Sequence, residues 1–166
     1  MKTISKKALV FVIAAITLVF ICIYCLVRPR TTINIDKFSA FMLASSVYYD
    51  GMEELDSSNI ERHYGGIASS DISQSKILTS TDGREFAVIQ ANSPQSADTV
   101  QSVIGLYCSG LIQKYQSDDP EKYDRLQGYV IRRTRNYVIL TISDRARSGN
   151  QLVYDYFDKT NYDKSE

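Results

Sequence analysis

The chain has 166 residues and a mass of 18.8 kDa, so at roughly 100–200 residues per domain it has room for one compact domain and not for a multidomain machine. Hydrophobic residues make up 44% and charged residues 23%, near the ~45–50% and ~25% of globular proteins, which excludes a disordered or fibrous chain. Its 19 basic and 19 acidic residues cancel, but Lys2, Lys6, Lys7, Arg28 and Arg30 all precede residue 31 and no acid does; the remainder is therefore acidic, which speaks against nucleic acid as the main partner.

Residues 8–27, ALVFVIAAITLVFICIYCLV, carry no charge and only Thr17 as a polar group. At 1.5 Å per residue such a helix spans a ~30 Å hydrocarbon core, so the stretch reads as one transmembrane helix. A cleaved signal peptide wants a shorter apolar core and a small-x-small site, whereas Arg28, Pro29 and Arg30 follow directly. A lipoprotein signal wants a small residue before the modified cysteine, but Cys22 follows Ile21 and Cys25 follows Tyr24. The segment is therefore expected to be an uncleaved signal anchor between a basic flank at 1–7 and a juxtamembrane linker at 28–36. The more basic N-terminal flank places the N-terminus in the cytoplasm and the C-terminal domain outside the membrane. Cys22 and Cys25 lie in the apolar span and read as membrane residues rather than a redox pair. Cys108 is the only thiol beyond the span, so no intradomain disulfide is expected.

The domain proper is expected over residues 37–157, with a polar tail at 158–166. Phe38, Phe41, Met42, Ser45, Tyr48, Tyr49 and Met52 recur at three- and four-residue spacing, which predicts one helix across them. A short helix follows after Asp56 or Ser57, anchored by Ile60 and Tyr64 and capped by Gly65-Gly66. Residues 77–80 and 85–91 predict a hairpin around Thr81-Asp82-Gly83. Ser93-Pro94 opens the strongest helix, with Val100, Val103, Ile104, Tyr107, Cys108, Leu111, Ile112 and Tyr115 on one face; Gly105 and Gly110 within it suggest close approach of a neighbour. Asp119-Pro120 opens a short helix through Tyr123 and Leu126 to Gly128. Residues 129–132 and 137–142 form a second hairpin whose second strand, apolar on both parities, is an inner strand. Leu152, Val153, Tyr156 and Phe157 mark a last helix. The fold class expected is α+β: a four-stranded, mainly antiparallel sheet of two hairpins burying one face against helices.

Several of these features together resemble a bacterial family, the domain of unknown function 4358. They are Glu85-Phe86-Ala87-Val88-Ile89 opening a strand, the long helix after Ser93-Pro94, the Asp119-Pro120-Glu121 step, and Asn136-Tyr137-Val138-Ile139-Leu140 running into Ser143-Asp144. The resemblance covers roughly residues 50–157. Asn136 stands where the family favours Gly, a swap compatible with positive φ. The resemblance implies a Gram-positive, membrane-anchored or lipoprotein chain of this fold, and no catalytic residue.

Chemistry-bearing residues are few. His63 is the only histidine, and it reads as a solvated residue facing a helix C-terminus, because no local motif supplies an orienting acid and a nucleophile. Glu85, at a strand start, reads as a structural ion pair with a basic neighbour or as a binding residue. Glu53-Glu54 and Asp118-Asp119 are explained by capping and solvation. No glycine-rich phosphate loop or zinc spacing is present, so no cofactor or metal is expected. Arg132, Arg133, Arg135, Arg145 and Arg147 crowd the second hairpin turn and the segment after it. Either this is a solvated turn balanced by Asp124 and Asp144, or it meets an anionic wall polymer, lipid head group or acidic protein. The expected function is a non-catalytic, membrane-tethered binding or accessory module of the bacterial cell envelope; the competing class is an envelope hydrolase using Glu85 and Asp144.

Overall fold

The computed structural model describes residues 16–19, 32–48, 50–144 and 146–162. The chain divides into two units, Met1–Ile33 and Asn34–Glu166. In the first, residues 16–19 are helical, and the rest of the predicted span at 8–27 lies outside the described residues. Among the described residues, no helix is long and apolar enough to cross a membrane.

The second unit begins with α1 (Ile35–Leu43), for which the Asn34 side chain accepts from the Lys37 amide. The predicted helix reaches Met52, but the observed one stops nine residues earlier. Ser45 turns its hydroxyl back onto the Met42 carbonyl at 2.6 Å, a local bond that competes with helix propagation. The chain that follows drops Tyr48 into the core, where its hydroxyl donates to the Ile142 carbonyl at 3.3 Å. Tyr49 lies outside the described residues. The Arg84 guanidinium secures this loop by donating to the Val47 and Asp50 carbonyls at 2.9 and 2.8 Å.

Next come β1 (Glu53–Glu54), a 3-10 turn (Ser57–Asn59) capped by Asp56, and α2 (Ile60–Tyr64), closed by Gly65 at φ 71°. They are followed by β2 (Ile72–Thr79), β3 (Glu85–Ala91), α3 (Pro94–Asp118), α4 (Pro120–Leu126), β4 (Val130–Thr134), β5 (Tyr137–Ile142) and α5 (Ala146–Tyr162). Ser93 and Asp119 cap α3 and α4 by accepting from the amides of Ser96 and Lys122, each with Pro in the first turn. In α5 no Gly or Pro follows Gly149, so the helix continues to Tyr162 through most of the predicted polar tail.

The sheet has five strands rather than four, all antiparallel, in the order β1-β2-β3-β5-β4. The additional strand is Glu53–Glu54, which pairs with Leu78 and Thr79. Two residues show no periodicity, so only the uncovered edge of β2 reveals this strand. The register of β2 shifts between Ile72 and Gln74. That extra residue lets both Ile72 and Ile77, of opposite parity, join the same core.

Helices cover both faces of the sheet, not one. Ala87, Ile89 and Ala91 of β3 and Val138, Leu140 and Ile142 of β5 pack with Ala97, Val100, Ile104 and Cys108 of α3. On the opposite parity, Phe86 meets Phe38 of α1 edge-on at 5.4 Å, and Phe38 meets Tyr156 of α5 at 4.5 Å. Every residue of β5 is buried, as expected for an inner strand. Gly105 and Gly110 do not mark close approaches: an added Cβ at Gly110 would meet nothing within 4 Å, and at Gly105 only Ile131 at 3.9 Å. The close approach is at Gly149 instead. A Cβ there would fall 2.9 Å from the Tyr48 hydroxyl and 3.2 Å from Thr141 and Ser143, so only Gly lets α5 lie this near β5. In the second hairpin turn the positive φ belongs to Arg135, at 58°, not to Asn136. Asn136 instead donates its side-chain amide to the Ala91 carbonyl at 2.8 Å.

Candidate functional site

Alternation along β3 puts Glu85 on the same face as Ala87 and Ile89, toward α3. It is the only carboxylate among the buried side chains described. α2 runs against that face and ends beside it, and its last turn delivers His63 and Tyr64. From α3 comes Tyr107, beside Cys108 and one turn from Ile104.

These four side chains close into one network. Tyr64 donates to Glu85 Oε1 at 2.6 Å and Tyr107 donates to Oε2 at 2.8 Å. His63 Nε2 lies 3.3 Å from Oε2 and 3.1 Å from the Tyr107 oxygen. Because Tyr107 spends its proton on the carboxylate, both atoms facing Nε2 are acceptors. The proton of the ring therefore belongs on Nε2, leaving Nδ1 as the basic nitrogen. The His63, Tyr64 and Tyr107 rings stand 4.7–5.0 Å apart in a mutually tilted cluster, an arrangement that aromatic quadrupoles favour.

Burial governs the titration of the neighbours. Loss of solvation, and then the Glu85 charge, push both the Tyr64 and Tyr107 hydroxyls well above the ordinary tyrosine range. The same two causes push the Cys108 thiol up to about 12, so this cysteine is an inert core residue. All three stay protonated at neutral pH, and the two tyrosines serve as donors to the acid.

The network borders a cavity of about 210 Å³ lined by His63, Thr79, Thr81, Glu85, Tyr107 and Lys122, among others. The β2–β3 turn forms one wall. There Gly83 takes φ 91°, and a Cβ would approach the Lys122 side chain to 3.1 Å, so the turn glycine serves both backbone conformation and contact with α4. Lys122 Nζ lies 3.4 Å from Asp119 and 5.2 Å from the centre of the Tyr115 ring. Arg84 also lines the cavity, but its guanidinium is occupied by Asp82 and the two loop carbonyls.

Among the described residues, the arginines of the second hairpin do not converge. Alternation along β4 sends Arg132 and Arg133 to opposite faces. Arg133 pairs with Asp98 at 2.7 Å and donates to the Pro94 carbonyl at the start of α3, whereas Arg132 stacks on Tyr154 of α5 at 3.7 Å. Arg135 sits exposed in the turn. Arg145 and the side chain of Arg147 lie outside the described residues. Asp144, expected as a counter-charge to this set, pairs with Arg125. It lines a different cavity, with Ser46, Val47 and Ser148, so Glu85 and Asp144 do not face a common space. Glu54 pairs with Lys76 across the sheet edge. Among the described residues, no group of three or more His, Cys, Asp or Glu side chains could hold a metal ion.

Of the residues that build the site, sequence reasoning singled out Glu85 and His63 separately and read Tyr64 and Tyr107 as core anchors. Contrary to expectation, His63 is part-buried rather than solvated, with a side chain 21% exposed. Its orienting acid stands 22 positions away in the chain. The available signal was Glu85 itself, an acid directly preceding the uninterrupted apolar run Phe86-Ala87-Val88-Ile89.

No curated protein and no solved structure matches the chain. A family model does match, over residues 44–143, a span that contains α2, all five strands, α3, α4 and the whole Glu85 network. The chain belongs to the family described as Domain of unknown function (DUF4358).

Proposed function

We propose that the protein is a membrane-tethered, extracytoplasmic binding or accessory module of the bacterial cell envelope, and that the cavity beside Glu85 is its ligand site. The apolar stretch at 8–27 and the basic flank before it support the tether and its orientation. The observation that carries the binding reading is the satisfied state of the site. Both Glu85 oxygens are already engaged by the fold, and that carboxylate borders a small preformed cavity, the arrangement of a recognition site whose polar groups orient a ligand. The second hairpin is the less favoured contact surface, since Arg133 is neutralised within the fold by Asp98.

One observation favours a second reading, an enzyme using proton transfer. A histidine oriented by a buried carboxylate, with its other nitrogen basic, is the arrangement of a general base. The two readings separate experimentally. A photo-crosslinking residue in place of Thr81 of the full-length chain in intact cells captures a stable ligand or partner under the binding reading. Crosslinks that form only after His63→Asn stalls turnover indicate the enzyme, and their absence in both proteins removes the cavity as the functional site. Protease added outside intact cells should digest the C-terminal domain, and protection until lysis would reverse the orientation.

A further inference from the structure

The charge balance of the cavity specifies what it takes, on the reading that it is a ligand site. The Glu85 side chain is only 5% exposed, and a buried carboxylate requires a positive partner as well as hydrogen bonds. The groups facing it are His63 and Tyr64 from α2 and Tyr107 and Cys108 from α3. Its pairing neighbours Thr79 of β2 and Ile142 of β5 carry no charge. Both tyrosines and the thiol are held neutral, so His63 is the one contact among the described residues that can become positive.

Farther along the cavity, Lys122 is directed to Asp119 and Tyr115, and Arg84 is held by Asp82 and the loop. An ionised carboxylate offers about four lone-pair sites, and the fold fills three of them at 2.6, 2.8 and 3.3 Å. The unfilled position is on Oε1, which only Tyr64 engages, and the cavity borders this carboxylate with the Tyr107 and Tyr115 rings beside it, the chemistry that holds a cation.

We infer that the cavity binds the primary ammonium group of a small amine, which sits against Glu85 and the Tyr107 ring and gives the buried carboxylate a positive partner. A volume of about 210 Å³ suits an amino acid amide or an amino sugar rather than a polymer.

The test titrates the full-length chain, in polyoxyethylene detergent micelles, with methylammonium, glycine amide and glucosamine by calorimetry. Neutral N-acetylglucosamine serves as the control. The expected result is that the amines bind and N-acetylglucosamine does not. Glu85→Gln should abolish binding, and His63→Asn should retain it. Lys122→Met, at a residue that lines the cavity but whose charge is directed to Asp119 and Tyr115 rather than to the buried network, should tighten binding severalfold by removing a like charge; unchanged or weaker binding would overturn the inference whether or not Glu85→Gln folds. The two larger amines distinguish an amino-acid from an amino-sugar source. Binding of N-acetylglucosamine without the amines would overturn the amine and leave the ligand site standing. If nothing binds, both readings fall.

Discussion

The two faces of the sheet solve the same packing problem with different chemistry. Toward α1 and α5, Phe38, Phe86, Tyr48 and Tyr156 interlock ring against ring, and α5 comes so near that Gly149 has no room for a Cβ. Toward α3, the core is aliphatic at its centre, but one end of it is built around Glu85, His63, Tyr64 and Tyr107, beside an open cavity. A close-packed face gains nothing from a buried acid. Retaining one on the other face, with both of its oxygens hydrogen-bonded, marks that end as specialised.

Substitutions that distinguish the faces should differ in size. Phe38→Ala, at the centre of the aromatic face and fully buried, should cost about 3–5 kcal/mol in urea unfolding. Retention of near-native stability would mean that α1 is not integral to the core. Gly149→Ala should lower stability by about 1–3 kcal/mol, since neither the β5 backbone nor Tyr48 can retreat without loss; a rise in Tm would show that α5 has slack.

The other face should reveal itself at alkaline pH. Tyr64 and Tyr107 titrate above their unfolded values, so their stabilisation is complete below about pH 10 and is lost as the pH climbs from there toward the folded values, because the unfolded chain releases protons first. Each contributes a slope of about 1.4 kcal/mol per pH unit in that range. Tyr64→Phe and Tyr107→Phe should each flatten the fall of Tm between about pH 10 and 11.5. Identical slopes in wild type and both variants would contradict the buried network.

Smaller effects are expected outside both cores. Gly110→Ala, on an exposed helical position with open space around it, should stabilise by up to about 1 kcal/mol in thermal unfolding. A loss there would indicate a neighbour at that face. Arg133→Gln, removing an ion pair with an exposed Asp98, should cost no more than about 1 kcal/mol and less at high salt. A larger loss would mean that the pair holds β4 to α3.

Local physics is legible in the sequence, and most helices are local. The caps at Ser93 and Asp119, the left-handed Gly65, the Asp82-Gly83 turn and the apolar stripe of α3 each depend on residues within about four positions of one another, and each is present. α1 ends early because the Ser45 hydroxyl turns back onto the Met42 carbonyl and because a long-range contact, Tyr48 reaching the Ile142 carbonyl, holds the following chain off a pattern that would continue the helix. The fifth strand, the coverage of both faces and the need for Gly149 all depend on which segments become neighbours, and no periodicity encodes that.

The candidate site divides in the same way. Composition and chain order determined by themselves that one histidine and an acid at the head of an apolar strand would exist, and the residues at 44–143 carried the family. Only the tertiary structure decided that His63, Tyr64 and Tyr107 meet Glu85 across separations of 21 or 22 positions, and that Arg133 of β4 finds Asp98 while Arg132 finds Tyr154. The reason is that a strand's alternation fixes which face a side chain takes, while the partner waiting there is set by helix packing over distances that sequence spacing does not express.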